Sequence, residues 1–163
     1  MSQRLEDIEE IRQLKYRYCR CIDTANIAEL KELFTEDASV CYVGGSYRFE
    51  AQGRDKIIEA IAYAFHSEAI ACHHVNHPEI SIVSPTEATG VWYLKDWFLD
   101  LHHKIITDGA AFYRDRYVKR DGRWLIHYAS YERIYEIVTP VTETPNITAH
   151  WLARHGQKLP ATA

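Results

Sequence analysis

The sequence predicts an α+β fold in which helices come first and a long antiparallel meander follows, the sheet curving around the helices to leave a cavity between the layers. Three observations lead there. Up to residue 66 the apolar side chains recur mostly at helical spacing. From Ile70 onward they alternate with the period of a strand. Short polar turns divide that second half into four runs, and Asp121-Gly122 between two of them is a strong hairpin signal.

Residues 5–23 carry Ile8, Ile11, Leu14, Tyr18 and Ile22 along one helical stripe, with charges between them. A second short helix fits residues 27–34, and the polar turn Thr35-Glu36-Asp37 follows it. Strand formers fill residues 38–43, and Gly44-Gly45 turns the chain into a second strand over 46–51. Helical spacing returns over 53–66 through Ile57, Ile58, Ile61 and Phe65. The alternating runs cover 70–83, 87–102, 110–120 and 123–137. Their turns are Ser84-Pro85-Thr86, Thr107-Asp108-Gly109 and Asp121-Gly122.

One domain is expected over residues 1–163, with its core over about 5–137 and a tail over 138–163. The tail holds Pro140, Pro145 and Pro160, which suits a surface helix or a segment that covers a partner. A net charge of -4 and a pI near 6.1 leave no electrostatic footprint for nucleic acid. The first residues lack the apolar core of a signal peptide, and no apolar run is long enough to span a bilayer. A cytoplasmic protein is therefore expected, with Cys19, Cys21, Cys41 and Cys72 reduced.

Four side chains far apart in sequence could share a proton relay: Tyr18, Asp23, His73 and Asp96. Asp96 shares a strand face with Trp92, Leu94 and Phe98, where a carboxyl loses solvation and is biased toward its acid form. It could act as a general acid, or be paired with an Arg or Tyr that pins the sheet. His73 opens a strand-like stretch, and a nearby carboxylate such as Asp23 would fix its tautomer for base catalysis. It could equally be a hydrogen-bonded structural histidine.

Tyr18 lies on the buried stripe of the first helix, where its phenol needs a partner: a substrate carbonyl or a backbone carbonyl. Arg133, in the last run, could clamp Asp23 or an anionic substrate group, or lie in solvent. His73, His74 and His77 raise a metal reading. Pro78 breaks the helix such a pair needs, so neither a metal nor a cofactor is expected.

The stretches EIRQLKYRYCRCID, HHVNHPEISIV, ATGVWYLKD, GAAFYRDRYVKRDGRWLI and YERIYE resemble the SnoaL-like family of the nuclear-transport-factor-like superfamily. Within it they resemble the bile acid 7α-dehydratases and, more broadly, the scytalone dehydratases. The resemblance runs from about Ile8 to Glu136, with departures at residues 99–109 and after Thr139. It implies a cone: a curved mixed sheet closed by helices around an apolar pocket.

It further implies a cofactor-independent elimination of water from a hydrophobic hydroxy-ketone, steroid-like or polycyclic. The site positions implied are Tyr18, Asp23, His73, Asp96 and Arg133. In that scheme Tyr18 stabilises an enolate, His73 held by Asp23 removes the proton, and Asp96 protonates the leaving hydroxyl. The same cone also serves isomerases, enzymes that remove hydrogen halide, ligand-binding proteins and small subunits of aromatic-ring dioxygenases. It commonly associates through its open sheet face, so a homo-oligomer is expected, a trimer before a dimer.

Overall fold

The computed structural model describes residues 2–160. Helix α1 spans Ser2–Thr24 and α2 spans Ile27–Glu32; strands β1, Phe34–Val43, and β2, Arg48–Gln52, follow, and then α3, Arg54–Ala64. Four long strands come next: β3 over Ala69–Ser84, β4 over Glu87–Asp100, β5 over Ile105–Arg120 and β6 over Arg123–Pro140. A four-residue helix α4, Leu152–His155, lies in the tail. The strands form one curved, unclosed sheet in the order β2-β1-β6-β5-β4-β3. β1 pairs in parallel with β6, and every other neighbouring pair is antiparallel, so the sheet is mixed.

The apolar stripe of α1 does what its spacing predicts. Ile11, Leu14, Tyr18 and Ile22 are all buried against the inner face of the sheet. There they join Phe34, Ile57, Trp92, Leu94, Tyr113 and Tyr117, and burying each large side chain stabilises the fold by about 1.5–3 kcal/mol. Two buried polar groups tie α1 to the strands. Lys15 donates to Asp115 of β5 at 2.8 Å, both fully buried, and Asp7 accepts from Lys119 at 2.7 Å and from the Trp124 indole at 3.0 Å. The helix stops where Ala25 adopts a φ of 52°, and Asn26 caps α2 by accepting from the Glu29 N–H.

Several boundaries differ from the sequence reading. Thr107-Asp108-Gly109 is no turn; β5 begins at Ile105 and carries these residues inside the sheet, opposite Phe98, Trp97 and Asp96. The turn lies at residues 101–104, where Asp100 accepts from both the backbone N–H and the ring Nδ1 of His103. Asp and Gly at 108–109 imitated turn chemistry that the pairing overrode. Phe34 starts β1 in place of ending α2, and β6 runs on to Pro140. Asp121 and Gly122, at φ 51° and 76°, do form the expected hairpin turn.

Beyond β6 the described part of the tail folds back on the chain itself. Leu152 is buried, the Trp151 indole donates to the Thr24 carbonyl at 3.1 Å, and the Ser67 N–H donates to the Gln157 carbonyl at 2.9 Å. These contacts hold it over the end of α1 and the approach to β3. Residues 161–163 of the tail lie outside the described residues. The four cysteines are free thiols, and no helix is long and apolar enough to cross a membrane among the described residues.

Candidate active site

A cavity of about 780 Å³ opens between α1, α3 and the concave face of the sheet. That volume is ample for a small organic molecule. Phe49, Phe65, Phe98 and Tyr113 supply apolar wall, and Tyr18, His73, Asp96 and Arg133 also line it. The polar members arrive from four different elements.

Asp23 sits in the last turn of α1 and takes hold of His73 twice. Its Oδ2 accepts the His73 backbone N–H at 2.9 Å, and its Oδ1 accepts from the ring Nδ1 at 2.6 Å. A carboxylate can only accept, so Nδ1 carries the hydrogen and Nε2 of the neutral ring keeps its lone pair. Phe65 packs edge-on against the imidazole, with centroids 5.6 Å apart. The ring is thus fixed in both tautomer and orientation, with one nitrogen uncommitted.

Tyr18 is buried in α1, and its hydroxyl meets that of Tyr42 in β1 at 2.8 Å. Burial raises both phenols well above their ordinary pKa, so they are neutral donors. Two hydroxyls have two protons. One bridges the pair and the other is not used within it; both rings line the cavity, and the Tyr113 phenol also lies close to Tyr18. The Tyr131 ring stacks on Tyr42 at 4.7 Å and holds it in place. The sequence reading missed Tyr42; its alternation with Val40 and Ala38 along β1 was the available signal.

Asp96 is the direct cross-strand neighbour of His73, β3 against β4, so the two side chains rise from adjacent points of one face. It is buried, as its apolar neighbours foretold. Both of its oxygens accept from Arg133, one from Nη1 and one from Nη2 at 2.9 Å. A bidentate guanidinium matches a carboxylate and leaves no place between them for an acid proton. The geometry adopts the paired alternative of the sequence reading, with Arg133 as the partner. Burial works against the Arg133 charge, yet the hydrogen bond and the charge of Asp96 hold its pKa above the ordinary value.

Two backbone features let Arg133 reach. Gly109 lies between Asp96 and β6, and a Cβ there would stand 2.6 Å from Arg133 Nη1, so only glycine leaves the passage open. A bulge in β6 places Ile134 opposite no single partner: Ala111 pairs with Arg133, and Ala110 with Tyr135. The extra residue resets the alternation, so Arg133 and Glu136, three apart, both turn toward the cavity. Glu136 Oε2 lies 3.3 Å from Arg133 Nε, and its Oε1 accepts from the Gly45 N–H and the Ser46 hydroxyl. Strict period-two reading had no means of finding Glu136.

The remaining histidines lie elsewhere. His74 and His77 are exposed, His77 at a bulge with φ 49°. His66, Asp100 and His103 bring one ligand atom each within 4.8 Å of one another, the one metal-like grouping among the described residues. There His66 Nδ1 accepts the Glu68 N–H at 3.2 Å, so in the neutral ring Nε2 bears the hydrogen and faces Asp100 as a donor. This cluster fastens the β4–β5 turn.

The chain matches the model of the SnoaL-like domain over residues 3–130. Solved structures share the fold. A protein provisionally described as a scytalone dehydratase from Novosphingobium aromaticivorans is 24% identical, with a TM-score of 0.72 over 88% of this chain and 99% of that one. Hexachlorocyclohexane dehydrochlorinase LinA-type3 from Novosphingobium barchaimii is 17% identical, with a TM-score of 0.72 over 90% and 98% of the two chains.

Proposed function

This chain belongs to the SnoaL-like domain family, and we propose that it is a cofactor-independent dehydratase acting on a hydrophobic hydroxy-ketone, steroid-like or polycyclic. One observation carries the reading. An imidazole oriented by Asp23, with Nε2 uncommitted, shares an apolar cavity with a buried phenol pair that has one hydroxyl proton to give.

In the proposed reaction His73 Nε2 takes the proton from the carbon beside the ketone. The electron pair moves onto the ketone oxygen, and the Tyr18–Tyr42 pair donates to that oxygen as its charge grows. Asp96, fixed in place by Arg133, accepts a hydrogen bond from the substrate hydroxyl and places it beside His73. The electron pair then returns, the carbon–oxygen bond breaks, and the His73 imidazolium gives its proton to the departing oxygen. One water leaves and the site regains its starting state. A carboxylate at the leaving-group position favours a hydroxyl that can donate over a halide that cannot, which sets this chain's expected chemistry apart from dehydrochlorination.

The test is ultraviolet absorbance and product mass when purified protein meets a panel of hydroxylated enone steroids, run beside His73→Ala. A longer-conjugated dienone, lighter by one water, is expected from the wild type, with a loss of about 10²–10⁴-fold in the variant. Equal product from both would overturn the assignment of the base. Product of unchanged mass would mark an isomerase, which starts with the same proton abstraction.

A further inference from the structure

Lys15 takes no part in the reaction above, yet it is the most completely buried charge in the chain's core. It sits one turn before Tyr18 on the same face of α1, and neither it nor its partner Asp115 has any exposed side-chain surface. The ammonium has three hydrogens and one carboxylate oxygen to meet, at 2.8 Å. The rest of it faces aromatic rings: its nitrogen lies 3.3 Å from the centre of the Tyr113 ring and 4.5 Å from that of Tyr18. Both of those rings line the cavity, whereas Lys15 and Asp115 do not.

Stability alone gives a weak account of this pair. Buried ion pairs are often matched or bettered by apolar residues of similar volume, because desolvating two charges offsets their attraction. Here the pairing is also incomplete, since Asp115 Oδ1 is buried with no hydrogen-bond partner. Its other oxygen serves Lys15 and the Tyr117 hydroxyl, which in turn accepts from the Trp92 indole. The pair therefore has a direction. Its positive end lies against the phenols of the cavity wall, and its negative end points to Tyr117 and Trp92.

We propose that Lys15 and Asp115 form an oriented buried dipole that strengthens the Tyr18–Tyr42 hydroxyls as donors to an anionic oxygen bound in the cavity. A cation on the ring face draws electron density from the phenol, and in this dry, fixed setting its field acts with little screening. It is in place before charge develops, which is what makes such a field effective. Lys15 is then a positioning residue: it touches no substrate and works through Tyr18 and Tyr113. This rests on the reading of the tyrosine pair as the site of the developing oxyanion, and extends it to the ligand class that site favours, an enolate or phenolate.

The experiment measures binding of a naphthol across pH by its fluorescence, beside naphthalene, which has the same shape and no ionisable oxygen. The variant is Lys15→Gln/Asp115→Asn, which removes both charges and keeps an amide acceptor for Tyr117. Lys15→Met/Asp115→Asn is the second variant if the first does not fold. The wild type is expected to favour bound naphtholate. The neutralised pair should weaken that form about tenfold while leaving naphthalene binding unchanged.

Equal weakening of both ligands would mean a packing role and would overturn the proposal. So would unchanged naphtholate binding, or a wild type that shows no preference for the anion. Because no turnover is read, the result stands apart from the dehydratase test. An inactive wild type that still favours naphtholate through Lys15 would sink the activity and keep the dipole.

Discussion

Asp23 and Asp96 are both carboxylates that hold a basic side chain at the cavity, Asp23 reaching from α1 to His73 in β3 and Asp96 from β4 across β5 to Arg133 in β6. The outcomes differ because of what each basic group has left over. Asp23 engages one nitrogen of His73 and leaves the other uncommitted. Asp96 and Arg133 meet through two parallel hydrogen bonds that use both carboxylate oxygens, while Glu136 Oε2 lies 3.3 Å from Arg133 Nε without a hydrogen bond between them. A hydrogen-bonded pair with a free end can exchange protons. One joined by two parallel hydrogen bonds makes a fixed polar wall.

The sharpest way to break this comparison is Asp23→Asn. An amide can present a hydrogen to Nδ1 and force the proton onto Nε2, which removes the base without moving the ring. Steady-state kinetics on a dehydrated substrate should show kcat down by about 10²–10⁴-fold and KM little changed. Arg133→Met should act chiefly on stability: it strands the buried Asp96 carboxylate and costs about 3–5 kcal/mol by denaturant unfolding. Arg133→Met/Asp96→Leu should recover most of that loss, while the Asp23 variant should lose little stability.

Gly109→Ala comes next, at about 1–3 kcal/mol. Its methyl would occupy the guanidinium's path, and a crystal structure of the variant should show Arg133 displaced from Asp96. Tyr42→Phe leaves Tyr18 as a lone donor and should lower kcat about tenfold, one hydrogen bond's worth in the barrier.

The smallest effect concerns a third carboxylate far from the cavity. Hydrogen bonds from Lys119 and Trp124 hold Asp7 below the ordinary aspartate pKa. A folded pKa that is depressed contributes stability above the unfolded value of about 4 and loses it as pH falls through the folded one. Asp7→Asn should therefore lower Tm at neutral pH and flatten the loss of Tm below about pH 4.

Much of this was legible in the sequence, and the exceptions share a cause. Helical and alternating patterns located every main element because they report which side of the chain is buried. The Tyr18, Asp23, His73, Asp96 and Arg133 side chains were named from residue type, from pattern and, for their roles, from a family resemblance. What stayed hidden depended on register. That Asp96 takes Arg133 as its partner needs the Gly109 gap between them, and Gly109 was read as a turn because Asp-Gly looks like one. Glu136 reaches the cavity only through the bulge at Ile134, which breaks the very period used to assign faces. Lys15 looked like an ordinary charge between apolar positions of α1; its burial depends on an aspartate 100 residues away.

The parallel seam between β1 and β6 bears on how the chain is made. Val40 meets Ala129 and Cys41 meets Ser130, so an early strand waits for the last one before it has its inner neighbour. Such distant closure is entropically slow. While a ribosome is still adding β5, β1 and β2 can form only an isolated hairpin, and Tyr42 has no Tyr131 to stack upon. Both members of the phenol pair lie before residue 43, yet the ring that stacks on Tyr42 is made only with β6. The oxyanion socket thus joins the two ends of the chain's synthesis, its hydroxyls made early and its backing ring late.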